Sequence, residues 1–237
     1  VHPTSKLFNF ASFRKNALCG CVVLGFYILI LSGGTAQAEG NHFLSFGLAG
    51  GGSIAPSSEL KSSPAVGDAD FDGGYSIKAS LGFLLAKQLQ LEGEYLFTHN
   101  RIGSLVNPPA VTNLVDSDRE THNLMLSATY RIEVPPLGDT YWTRRGYYVY
   151  FGGGAGISWQ DYTLETLASQ TGSSLAWQVL VGFEKMNPSS NLFSAFPSPF
   201  LQYRFLKIAE GDLGAFKTDA SLHLIEFGFR FYGGFGS

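Results

Sequence analysis

The sequence predicts an all-β chain, an eight-stranded antiparallel up-and-down transmembrane β-barrel with long extracellular loops, preceded by a cleavable export signal. Three observations carry this. Past residue 39 the recurring hydrophobic period is two, the period of a strand, and almost nothing has helical spacing. Glycine (29), Phe (20) and Tyr (11) are abundant, while charged residues make up 15% against about a quarter in an ordinary soluble domain. Eight alternating runs can be marked, an even number as closure of an antiparallel bacterial barrel requires, and each suits a tilted strand of about 9–11 residues crossing lipid. A mean hydropathy of +0.08 is far below that of a helical membrane protein.

The N-terminal segment reads as an address. Lys6, Arg14 and Lys15 precede fifteen uncharged residues, Ala17 to Leu31, and then "SGGTAQA". A basic segment, a short apolar segment and a small-residue site at Ala36 and Ala38 make a secretory signal spanning 1–38, with the barrel domain over 39–237. Fifteen apolar residues fall short of the roughly twenty that a membrane-spanning helix needs. Cys19 and Cys21 lie inside this segment, so the body of the protein has neither a disulfide framework nor a thiolate metal site. Removing the signal takes away three basic and no acidic residues, leaving thirteen against nineteen and a net charge of −6. With a sequence pI near 5.9 and no basic stripe, a nucleic-acid partner is excluded.

The eight runs fall at about 42–54, 73–85, 88–98, 121–132, 146–159, 174–185, 198–207 and 221–232. In 121–132, Leu124, Leu126, Ala128, Tyr130 and Ile132 alternate with Asn123, Met125, Ser127, Thr129 and Arg131. In the last run, Ile225, Phe227, Phe229 and Phe231 alternate with Leu224, Glu226, Gly228 and Arg230. Lipid admits such strands only in a closed ring, because unpaired edge N–H and C=O groups would each cost several kcal/mol there, roughly. A soluble barrel or sandwich with its apolar set turned inward accounts for the alternation equally well. The signal, a girdle of aromatics at run ends (Tyr75, Tyr147, Trp159, Trp177, Tyr232) and the nature of the polar set favour the membrane.

That polar set places Lys78, Arg131, Arg204 and Arg230 in the lumen with Glu92, Glu94, Glu184 and Glu226, four charges of each sign. An eight-stranded barrel has room inside only for side chains, so these charges must pair or bear a large desolvation penalty. The expectation is an ion-paired plug in which Glu92 or Glu94 meets Arg131, with Glu184 and Arg131 the two that could sit at a wet rim. The connections at 55–72, 99–120, 160–173 and 208–220 read as outer loops, and those at 86–87, 133–145 and 186–197 as inner turns. With Lys207 at its edge, the outer set carries twelve acidic against five basic residues, Arg119 counted among the basic ones, for a net −7. Within it "DADFDGG", Asp68 to Gly74, matches the front half of a calcium-binding loop. The back half fails, since Ala79 stands where a bidentate Glu is needed, and the stretch reads as a solvated loop entering a strand.

With "FDGGYSIKASLGF", "LQLEGEYLF" and the closing strand "IEFGFRF", the chain resembles the small outer-membrane β-barrel proteins of the opacity or porin-like type, over essentially all of residues 39–237. The resemblance implies a bacterial outer-membrane location, contact with lipid and lipopolysaccharide, a monomer, and a role in envelope integrity or adhesion toward an unidentified surface ligand. It also implies that the barrel-assembly machinery reads the last strand, through Phe227, Phe229, Phe231 and Tyr232. One departure is the added "GGFGS" after Tyr232, where family members generally end on an aromatic residue.

No catalytic constellation emerges. Neither a GxSxG elbow nor an HExxH motif is present, and no two of His42, His99, His122 and His223 lie closer than twenty-three residues. The run "GGGAGISW" lacks the Lys and Ser/Thr of a phosphate loop and reads as a tightly packed strand. The expectation is therefore a non-enzymatic protein with no catalytic residue, cofactor or metal. A narrow porin and a lipid-modifying barrel enzyme stand as alternatives.

Overall fold

The computed structural model describes residues 44–61, 66–86, 88–107, 110–113, 117–135, 146–164, 167–185, 197–213 and 217–233. By contacts the chain divides into Val1–Gln37 and Ala38–Ser237, and the described residues all belong to the second unit. The export signal, Ala36 and Ala38 among it, lies outside the described residues, as do residues 136–145 and 186–196 of the inner connections 133–145 and 186–197.

Eight long strands form the wall: β1 (Leu44–Ile54), β3 (Val66–Ala86), β4 (Leu89–Asn107), β6 (Asp118–Val134), β7 (Tyr147–Leu164), β8 (Leu167–Lys185), β9 (Ser198–Asp212) and β10 (Lys217–Gly233). Two short strands, β2 (Ser58–Lys61) and β5 (Ala110–Asn113), lie between β1 and β3 and between β4 and β6 in the chain. Each long strand pairs antiparallel with its neighbour, and β1 pairs with β10 to close the ring. The pairs Leu44–Gly233 and Ala86–Leu89 lie at one end of the ring. The other end carries β2 and β5 and is called here the ribbon end.

The strand centres match the alternating runs; the strand ends do not. At the ribbon end pairing runs on through segments that read as loops. In β3 and β4, Asp70 pairs with Ser104 and Asp68 with Val106. Beyond them, Arg119 pairs with Tyr162 and Asp161 with Thr171. β2 adds a further layer between β3 and β10. Backbone pairing needs no apolar outer face once the strand leaves lipid, so a search for apolar alternation stops at the edge of the apolar belt. "DADFDGG" is therefore not a loop. It lies within β3, kinked by irregular pairing around Phe71, with Asp68, Asp70 and Asp72 exposed along an extended backbone that cannot wrap an ion as a calcium loop does.

The two faces of the wall differ in kind. Outward stand Leu48, Ile77, Leu124, Leu126, Val179 and Phe227 among many large exposed apolar residues. Inward stand buried charges and amides, with Lys78 1% and Glu226 0% exposed. A soluble barrel would reverse these faces, since burying unpaired charge beneath an apolar coat is unfavourable in water. On β7 the inward column holds Gly152, Gly154 and Gly156, where any Cβ would collide with the β6 backbone. That bare wall leaves the lumen's volume to long side chains from the opposite strands.

A closed barrel predicts a simple result: unboiled, the folded protein should migrate differently on a detergent gel than after boiling, with strand-type circular dichroism before boiling. A single band unaffected by heat would count against a closed ring.

Candidate functional site

The lumen is where the chain concentrates its unusual chemistry. Because side chains alternate, the strands that turn Leu and Phe to lipid must aim Glu and Arg at the axis. All eight of the expected charges converge there. Arg204 reaches Glu94 at 2.5 Å and Glu226 at 3.0 Å, and Arg230 reaches Glu92 at 2.9 Å and also bonds Glu184. Lys78 lies 3.6 Å from both Glu92 and Glu94. Neutral groups complete the net. Ser127 donates to Glu94 at 2.6 Å, Gln178 donates to Glu94 at 2.7 Å, and Gln202 donates to Glu226 at 2.8 Å.

Arg131 does not meet Glu92 or Glu94. In the β4–β6 register Glu92 faces Ser127 and Glu94 faces Met125. Arg131 therefore sits four residues beyond Ser127, about 13 Å along the strand. It pairs instead with Glu184 at 3.5 Å and lies over the Tyr148 ring at 4.2 Å. Nor do Glu184 (0% exposed) and Arg131 (4%) occupy a wet rim. Both are held by Tyr232, whose hydroxyl donates to Glu184 at 2.6 Å and accepts from Arg131 at 2.7 Å.

This also moves Tyr232 out of the aromatic girdle. Arg230 points inward and Phe231 outward against Phe46, so strict alternation turns Tyr232 inward, separating it from Phe227, Phe229 and Phe231 on the lipid face. Parity alone, extended by two residues, contains that signal. The other girdle residues remain on the wall, with Tyr75 stacked on His99 and Trp177 edge-on to Phe205.

Toward the ribbon end the lumen changes character. Leu96, Met125, Leu206, Ile208, Leu222 and Leu224 form a buried apolar cluster, and Phe71 links it to a second one of Ala69, Ile102, Tyr162 and Leu213. Between them lies Arg119, 0% exposed, its guanidinium 4.1 Å from the Phe71 ring and 6.0 Å from that of Tyr162. None of its three nitrogens has a hydrogen-bond partner. The sequence reading placed Arg119 among the outer loop charges. Its burial removes one cation from the surface of the ribbon end, which is correspondingly more acidic. Among the described residues, no serine hydrogen-bonds His99, His122 or His223.

An eight-stranded antiparallel ring with an apolar exterior and an ion-paired interior is a transmembrane β-barrel of the outer-membrane type. No protein-family model matches the chain, and no curated protein matches it. Solved structures similar to it include the Neisserial surface protein A, at 15% identity and TM-score 0.47, covering 80% of this chain and 97% of that one. The outer membrane protein OprG from Pseudomonas aeruginosa matches at 20% identity and TM-score 0.44, covering 82% and 99%. Ail, the attachment invasion locus protein of Yersinia pestis, matches at 15% identity and TM-score 0.37, covering 80% and 99%. The class assignment rests on the chain's own strand pairing and on the inversion of its two faces.

Proposed function

We propose that the protein is a non-conducting, non-enzymatic barrel of the bacterial outer membrane that acts through its surface, in envelope integrity and adhesion. In this reading residues 1–38 direct export, and the assembly machinery inserts residues 39–237 as a monomer. The ribbon end faces the exterior, where its acidic segments meet lipopolysaccharide or an external ligand.

The observation that carries this is the sealed lumen. Four carboxylates are matched by four cations in the charged layer, and an apolar layer lies across the same lumen toward the ribbon end. Ions would have to break the first and wet the second, and a narrow apolar constriction resists wetting. With the lumen closed, exposed chemistry is left to the ribbon end, where Asp68, Asp70, Asp72, Glu210 and Asp212 are exposed.

Conductance of the folded protein in planar bilayers tests it. Silence or rare flickers are expected. A steady, salt-dependent channel would make the lumen charges a selectivity filter and replace this reading with that of a narrow porin.

A further inference from the structure

A second cluster of chemistry lies on the outside of the wall, at the ribbon-side margin of the apolar belt. It is assembled from a tripeptide that occurs twice, Thr98-His99-Asn100 on β4 and Thr121-His122-Asn123 on β6. The β4–β6 register sets His99 opposite Glu120, and the β6–β7 register sets Glu120 opposite Asp161. Ligand atoms of Glu120, His122 and Asp161 all lie within 4.8 Å of one another. His99 Nδ1 stands 3.8 Å from Glu120 Oε1 and has no hydrogen-bond partner. Glu120 and Asp161 are like charges directly opposed across a strand pair, an arrangement that destabilises a sheet unless a cation offsets it. Among the described residues, no lysine or arginine forms an ion pair with either.

We propose that Glu120, His122 and Asp161 bind a divalent transition-metal ion of the zinc class on the outer wall of the barrel, with His99 beside Glu120 rather than in the donor set. One imidazole and two carboxylates, with a fourth position open to water, suit zinc and its neighbours, whereas magnesium and calcium take oxygen donors alone. His122 is already oriented as a metal ligand would be. Its Nδ1 lies 2.7 Å from the Tyr95 hydroxyl, which leaves Nε2 for an ion. A hydrogen bond on the remote nitrogen is the usual means of fixing the tautomer and ring of a metal-bound histidine. Ligand atoms within 4.8 Å of one another can surround one ion at the roughly 2.0–2.2 Å that zinc requires.

The barrel holds its own control on the far side. On β9 and β10, Tyr203 and His223 repeat the contact, again 2.7 Å from hydroxyl to Nδ1, with Phe205 beside the imidazole as Phe97 is beside His122. There Lys207 takes the place of His99 and Ser221 that of Glu120, and Lys207 neutralises Asp219 at 2.5 Å. The aromatic–histidine contact is thus a general device of this wall, and only the β4–β6–β7 copy adds uncompensated carboxylates.

Calorimetric titration of the folded, chelator-stripped protein with zinc chloride tests the proposal, with the gel shift on boiling confirming that each variant is folded. One zinc per chain is expected, with affinity falling at least tenfold in both His122→Gln and Asp161→Asn and unchanged in His223→Gln. Absence of zinc binding by the folded protein would overturn the site. So would binding that survives His122→Gln, or a calcium affinity equal to that for zinc.

Discussion

Replacing Glu94 with alanine is expected to lower the unfolding free energy of the barrel by about 3–5 kcal/mol, the usual consequence of removing one partner from a buried charge network. Glu94 is 1% exposed and lies against Arg204 at 2.5 Å and Lys78 at 3.6 Å. It also accepts hydrogen bonds from Ser127 and Gln178. Without it the charged layer holds one cation in excess, Arg204 keeps only Glu226 as an anionic partner, and Gln178 and Ser127 each lose an acceptor. Glu94→Gln keeps the shape but loses the charge, and should fall between the two. Urea unfolding in micelles, followed by tryptophan fluorescence, measures both. An unchanged midpoint for Glu94→Ala would mean that water reaches and screens the network.

Arg119→Met is expected to act with the opposite sign and raise stability by about 1–3 kcal/mol. A buried guanidinium with no counter-ion among the described residues and no hydrogen bond carries a desolvation penalty of several kcal/mol, roughly. Its position over Phe71 returns about 2 kcal/mol of cation–π attraction. Methionine keeps most of the aliphatic stem and packs among Phe71, Ile102 and Tyr162 without a charge. The same unfolding assay reads the change. A loss of stability would show that Arg119 is compensated in solution by a bound anion.

The contrast between these residues also marks what the sequence could and could not reveal. Strand centres and the inward set were legible because the two-residue period is local, so Glu92, Glu94, Arg204 and Arg230 could be assigned to the lumen from their own strands. Their partners were not. Arg204 and Glu94 are 110 residues apart and meet only through the tilt and stagger of a closed ring, which no single strand encodes. Strand ends were hidden for a different reason. Above the belt the outward residues become Arg101, Asp118, Glu120 and Asp161, so apolar alternation ceases while the hydrogen-bond ladder continues. That one misreading turned Arg119 into a loop charge, set His99 and Glu120 at opposite ends of one loop and put Asp161 in another.

The continued ladder also changes what the exterior of this protein would be to a partner. A flexible loop must be ordered on binding, which subtracts from affinity, whereas a segment already held in register has lost that freedom when the barrel folded. Asp68 and Asp70 on β3, with Ser104 bonded to Asp70 at 3.3 Å, are spaced by the pleat of the strand. The ribbon end therefore holds the carboxylates of Asp68 and Asp70 at the fixed interval of the pleat, so that under the proposed surface role their spacing would be set before any partner arrived.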